Sequence, residues 1–220
     1  FEVTENGETF IIDEFHTDST GTLLTPGVLF PGKYLIEEII PPDGYAMLSS
    51  STGYIVEISD QIEHDYLTDE QGSPTNIGIF TVNIPNTAIT GQIEIIKEGE
   101  SEDNSDNDFI PLEGIVFDIY ADENIYSPDG QGNLLYENSA LVESITTGQD
   151  GRAISSNTLP LGKYIIIETN TPEQYIESEP LHVTLSQDND LSEISTDTGT
   201  LIVSNYSFVI KNRFATILSS

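Results

Sequence analysis

Residues 32–45 read GKYLIEEIIPPDGY, and residues 162–175 read GKYIIIETNTPEQY. The two stretches share one outline at a constant offset: Tyr34, Glu38, Pro42 and Tyr45 answer to Tyr164, Glu168, Pro172 and Tyr175, each 130 residues on. Self-similarity at a fixed spacing marks repeated structural units and overrides any reading of the chain as one continuous fold. The repeat therefore divides the 220 residues into a first module over 1–88 and a second over 89–220.

Both modules read as all-β. The first offers strand-like runs FEVTE, ETFIIDEF, GKYLIEEI, GYIVEIS and IGIFTVNIPN, broken by Gly, Pro, Asp or Ser. The second offers GQIEIIKEG, LEGIVFDIYAD, LLYEN, LVESITT, GKYIIIET, LHVTLS and the alternation at 204–212. Helical periodicity is not sustained anywhere. Many short strands separated by turn residues predict a β-sandwich in each module. The segment 122–133, with a Pro-Asp-Gly turn, is an insertion that the first module lacks. The strand IEIIK precedes Phe117 in the second module, but the first opens at Phe1. The expectation is that the first module lacks its N-terminal strand, either because the segment is truncated or because another chain supplies it.

Charge excludes several function classes. With 38 acidic against 6 basic residues the formal net charge is −32. Such a surface repels nucleic acid and anionic membrane, since both require clustered Lys and Arg. No apolar run is long enough to cross a bilayer. A secretory signal or C-terminal anchor is expected only outside this segment. There is no cysteine, so disulfides, thiol catalysis and Cys-based metal sites are excluded.

Strand alternation brings polar groups onto apolar faces. Tyr164, Ile166 and Glu168 share one face, as do Ile93, Ile95 and Lys97, and Phe208, Ile210 and Asn212. The first module repeats part of this with Tyr34, Ile36 and Glu38, and with Phe80, Val82, Ile84 and Asn86. An isolated ionised side chain in a dry interior costs on the order of several kcal/mol. Two readings follow. One is a buried Lys97–Glu168 ion pair with Asn212 hydrogen-bonded beside it. The other is chemical: desolvation lowers the lysine pKa and raises that of the glutamate. A neutral Lys97 amine then attacks the Asn212 carboxamide while Glu168 shuttles protons. The product is a Lys–Asn isopeptide bond.

YIIIETNTPEQY resembles the E-box of Gram-positive surface proteins, Y-x-x-x-E-T-x-A-P-x-G-Y, and YLIEEIIPPDGY is similar. GQIEIIKEG, PLEGIVFDIY and FVIKNR resemble the opening, second and closing strands of the same family. These are the SpaA-like, or Cna B-type, prealbumin-like (reverse immunoglobulin-like) domains of pilins and of the stalks of wall-anchored adhesins. The resemblance implies an isopeptide bond with Lys97 as nucleophile, Glu168 as the catalytic proton shuttle and Asn212 as acceptor. In the first module it makes Glu38 the glutamate and Asn86 the acceptor, with the lysine absent. Lys33 is not assigned to a bond, because its counterpart Lys163 lies on the outward face. Gln174 replaces the family's glycine, and Asn170 and Thr171 stand where Ala is usual before the proline.

The resemblance implies a structural stalk or pilin segment, extracellular and attached to a Gram-positive cell wall. It is not an enzyme beyond one self-directed turnover, and it uses no cofactor. Its partners are neighbouring modules of the same surface protein or fibre, with no nucleic acid and no membrane contact. The alternative is an adhesive domain binding a host extracellular protein or glycan, with calcium held by the acidic loop EDNSDND. Other signals read as ordinary. LPLG at 159–162 has the outline of a sortase signal but precedes a strand, and is read as a turn. His16, His64 and His182 have no metal-site spacing, and Tyr45 and Tyr175 are expected to pack on their own E-box strands.

Overall fold

The computed structural model describes residues 2–5, 8–11, 13–25, 29–46, 53–59, 65–101, 108–197 and 199–215. Phe1, His64 and most of the EDNSDND loop lie outside them. The backbone divides into two compact units: Phe1–Glu37 with Thr52–Ile84, and Glu38–Ser51 with Pro85–Ser220.

The first unit contains three two-stranded antiparallel pairs. β1 (Glu2–Glu5) pairs with β2 (Glu8–Ile11), β3 (Gly32–Ile36) with β5 (Tyr54–Ile58), and β6 (Asp65–Thr68) with β7 (Pro74–Ile79). Among residues 13–25, 29–37, 53–59 and 65–84 none is buried; Tyr34 is half-buried, and its hydroxyl donates to the carbonyl of Phe30 at 2.7 Å. The last pair departs from the alternation read in IGIFTVNIPN, because the strand ends at Ile79 and residues 80–86 take no strand. Turn chemistry sets this register. Asp69 Oδ1 accepts from the backbone N–H groups of Gln71 (3.0 Å) and Ser73 (2.8 Å), and Gly72 takes φ 78°. The Asx turn closes a hairpin that selects 74–79 as the returning strand.

The second unit is a sandwich. Its strands are β4 (Tyr45–Ala46), β8 (Thr87–Glu100), β9 (Phe109–Pro111), β10 (Val116–Ala121), β11 (Ile125–Tyr126), β12 (Leu134–Tyr136), β13 (Leu141–Thr146), β14 (Arg152–Ile154), β15 (Gly162–Glu168), β16 (Leu181–Leu185), β17 (Asp190–Thr196) and β18 (Gly199–Asn212). One sheet runs β13-β10-β15-β16; the other runs β14-β8-β18-β17, with β4 and β9 also on β8. All pairings are antiparallel except β8 with β18, which is parallel from Ile89↔Ile202 to Asn212↔Gly99. The insertion at 122–133 contains β11, which pairs with β12 across a turn where Asp129 Oδ1 accepts from Gln131 N at 2.9 Å.

Period-two burial builds the core. β8 contributes Ile93 and Ile95, β10 Phe117, Ile119 and Ala121, β15 Tyr164 and Ile166, and β16 Val183 and Leu185, all buried in one cluster. Each buried Ile, Leu or Phe contributes about 1.5–3 kcal/mol by leaving water. Gly151 sets the end of β8 against the loop before β14. It sits at φ +74°, its carbonyl accepts from Lys97 N at 2.7 Å, and an added Cβ would lie 2.5 Å from the Lys97 carbonyl. Gly151→Ala is therefore expected to destabilise by about 1–3 kcal/mol. Urea denaturation checks this, and an unchanged midpoint would contradict it.

Candidate cross-linking site

The end of the apolar face of β8 is a lysine. Lys97 follows Ile93 and Ile95 on that face and is fully buried, and β18 places Asn212 beside it on the same face, one step diagonally across the parallel pairing. Glu168, the last residue of β15, reaches in from the opposite sheet and is equally enclosed. The three side chains predicted to converge therefore do meet.

The contacts are direct. Lys97 Nζ donates to Glu168 Oε2 at 3.0 Å and to Asn212 Oδ1 at 2.5 Å. Asn212 Nδ2 donates to Glu168 Oε1 at 3.0 Å and Oε2 at 3.2 Å. Glu168 thus touches both the amine that would attack and the amide nitrogen that would leave. Phe117, paired across from Glu168 on β10, forms a wall, with Lys97 Nζ 5.9 Å from its ring centre. Ser178 completes the set: its hydroxyl donates to Glu168 Oε2 at 2.7 Å.

Burial holds the Lys97 ammonium below its ordinary pKa, opposed by its bond and attraction to Glu168. The glutamate departs from the sequence expectation. Burial pushes its carboxyl up, but the hydrogen bonds from Ser178, Lys97 and Asn212 with the lysine charge outweigh it, and the net shift is downward. The ion-pair reading supplied the Lys97 and Asn212 donors; the donor that strand alternation could not supply is Ser178, from a loop. The geometry is that of a buried Lys97–Glu168 ion pair with Asn212 hydrogen-bonded beside it.

Tyr175 lies against the end of β8 at Gly99. It stacks on Phe214 with ring centres 5.1 Å apart, and its hydroxyl donates to the Glu100 carbonyl at 3.0 Å. Gly99 leaves the space for that ring, since a Cβ there would come within 2.7 Å of Tyr175 Cζ.

Residues 38–46 and 86–89 repeat part of this arrangement. Asn86 Nδ2 donates to Glu38 Oε1 at 2.9 Å, both half-buried. Tyr45 N donates to the Pro42 carbonyl at 3.0 Å, as Tyr175 N does to Pro172 at 2.9 Å. Tyr45 pairs with Ala88 as Tyr175 pairs with Phe214, in each case two residues beyond the asparagine. Lys33 is a surface residue: its side chain is 73% exposed and lies 3.9 Å from Glu57.

The remaining candidates are peripheral. His16 is exposed, and His182 Nδ1 lies 2.7 Å from Asp122 Oδ2 on the surface. Among the described residues no cluster of three His, Asp or Glu side chains is placed to hold a metal, and residues 102–107 of the acidic loop lie outside that description. Ser178 and the Tyr175–Phe214 stack escaped the sequence reading. Ser178 sits in a loop, where strand alternation carries no signal.

The model of the SpaA prealbumin-like fold domain matches residues 1–72 and 91–200. No curated protein matches the chain. Among solved structures, the Bacillus anthracis TIE protein aligns with 97% of this chain and 30% of its own, at 20% identity and TM-score 0.54. The minor pilin GBS52 of Streptococcus agalactiae aligns with 60% of this chain and 47% of its own, at 18% identity and TM-score 0.38. The major pilin SpaD of Corynebacterium diphtheriae aligns with 57% of this chain and 32% of its own, at 19% identity and TM-score 0.36. The chain spans less than half the length of each of these solved chains, and at such identities the likeness to the first is one of fold. With the family model covering most of its length, the chain belongs to the SpaA prealbumin-like domain family.

Proposed function

We propose that this chain is a stalk or pilin segment of a Gram-positive cell-surface protein, built from modules 1–88 and 89–220 and strengthened by a self-formed Lys97–Asn212 isopeptide bond. The reading places it outside the cell, attached to the wall, with neighbouring modules of the same protein or fibre as partners. Family membership supports the structural role. The observation that carries the bond is the enclosed contact of Lys97, Glu168 and Asn212.

Glu168 is the proton shuttle. It takes a proton from the Lys97 ammonium, and the freed Nζ lone pair forms a bond to Asn212 Cγ as carbonyl electrons move onto Oδ1. Two protons pass through Glu168 from Nζ to Nδ2. The Cγ–Nδ2 bond breaks as the carbonyl re-forms, nitrogen leaves as ammonium, and Glu168 is again a carboxylate. No outside reagent is consumed. The intact mass of purified protein is expected to lie one ammonia below that of its sequence; the full calculated mass would remove the bond from this account.

Glu38 and Asn86 take the matching shuttle and acceptor roles in the first module. Their 2.9 Å contact repeats the glutamate–asparagine half of the Lys97 site. A lysine reaching this pair would arrive on a strand other than β3, since Lys33 is a surface residue.

A further inference from the structure

We propose that Ser178 is a positioning residue for the cross-linking reaction, its hydroxyl holding the Glu168 carboxylate so that it meets the Lys97 amine and the Asn212 amide nitrogen together. The proposal rests on the cross-link reading above and adds to it a fourth side chain.

Glu168 must touch two reacting groups at once. Oε2 receives Lys97 Nζ at 3.0 Å, and Asn212 Nδ2 reaches Oε1 at 3.0 Å and Oε2 at 3.2 Å. A glutamate side chain at the end of a strand turns freely about its last bond unless something fixes the carboxylate plane. Ser178 supplies that anchor, with its hydroxyl 2.7 Å and its backbone N–H 3.4 Å from Oε2. The hydroxyl itself is held in place from nearby. Three residues earlier, Tyr175 is buried against Phe214, and Ile176 N donates to the Arg213 carbonyl at 2.9 Å. The loop thus meets the residues following β18 twice before it reaches Glu168.

A hydroxyl suits a shuttle better than a fixed N–H donor. It donates to the carboxylate before the proton arrives and rotates to accept from the carboxylic acid afterwards. Lys97 on β8 is the charged group facing Glu168; β18 presents Asn212 and β10 presents Phe117, neither of them titratable. The bond from Ser178 is the strongest influence holding the Glu168 carboxyl down. In sequence, the residue ten places after Glu38 is Leu48, so the first repeat carries no hydroxyl at the corresponding position.

The test follows ammonia loss by intact mass after cell-free synthesis of the full chain, at a series of pH values, for wild type, Ser178→Ala, Ser178→Thr and Ser178→Cys. Ser178→Ala is expected to slow the loss roughly tenfold, the effect of one hydrogen bond to a charged group. Its acid limb should move to higher pH, because the carboxylate loses a donor and protonates earlier. Ser178→Thr should restore the wild-type rate, and Ser178→Cys, a weak donor of similar size, should fall between. Circular dichroism restricts the comparison to folded material. An alanine variant that reacts at the wild-type rate with the wild-type pH profile overturns the proposal, even if it melts earlier. Wild-type protein that keeps its full mass overturns the cross-link itself, and the role of Ser178 with it.

Discussion

Glu168→Ala is expected to leave Lys97 and Asn212 as separate side chains, with the intact mass returning to that of the sequence less the substitution. The variant loses two things at once. Lys97 and Asn212 are 115 residues apart, and a cross-link closing a loop of that order contributes about 4–5 kcal/mol on the chain-entropy model. The lysine is also left buried with no counter-charge, and breaking a buried pair from one side costs about 3–5 kcal/mol. The melting temperature should therefore fall on the order of 10 °C or more. Scanning calorimetry beside intact mass measures both effects. A variant that still loses ammonia would show that Glu168 is not the shuttle.

Adding Lys97→Met to Glu168→Ala is expected to recover about 3–5 kcal/mol, although neither protein contains a cross-link. The unbranched thioether fills most of the lysine volume without requiring a partner. The pH dependence should separate the two variants. The folded pKa of Lys97 lies below its ordinary 10.5 because of burial, and removing Glu168 takes away the groups that oppose the shift. Between the folded value and 10.5 the unfolded chain binds a proton that the folded chain does not, so stability rises with pH across that window. The single variant should therefore become more stable as pH rises through that window toward 10.5, and the double variant should lack this increment. Parallel curves in urea titrations at several pH values would contradict a buried, partnerless ammonium.

The sequence carried the meeting of the three site residues further than the architecture around them. Period-two alternation was enough to place Glu168 behind Tyr164 and Ile166, and Lys97 behind Ile93 and Ile95, because inward-facing residues must be apolar or partnered. The same alternation put Asn212 behind Phe208 and Ile210, and the likeness of FVIKNR to the family's closing strand linked it to the other two. Alternation does not say which strands neighbour each other, so the parallel register of β8 with β18 emerged only in three dimensions. The stretch 77–86 shows the opposite failure. Its alternation was legible, but the Asx turn at Asp69 fixed the hairpin partner, and 80–86 took no strand. Ser178 was invisible for a simpler reason: a loop residue acquires meaning from the carboxylate it approaches. Desolvation alone predicted a raised Glu168 pKa, whereas the bonds from Ser178, Lys97 and Asn212 with the lysine charge bring it down.

The parallel course of β8 and β18 has a mechanical consequence. The N-terminal end of β8 and the C-terminal end of β18 lie at opposite ends of one ladder, so tension applied through residues 87 and 212 loads that ladder in shear. An amide joining Lys97 to Asn212 would carry the load along ten residues of β8 and straight across to the exit strand. The other sheet would stay slack, and a segment built this way would transmit a pull with almost no extension.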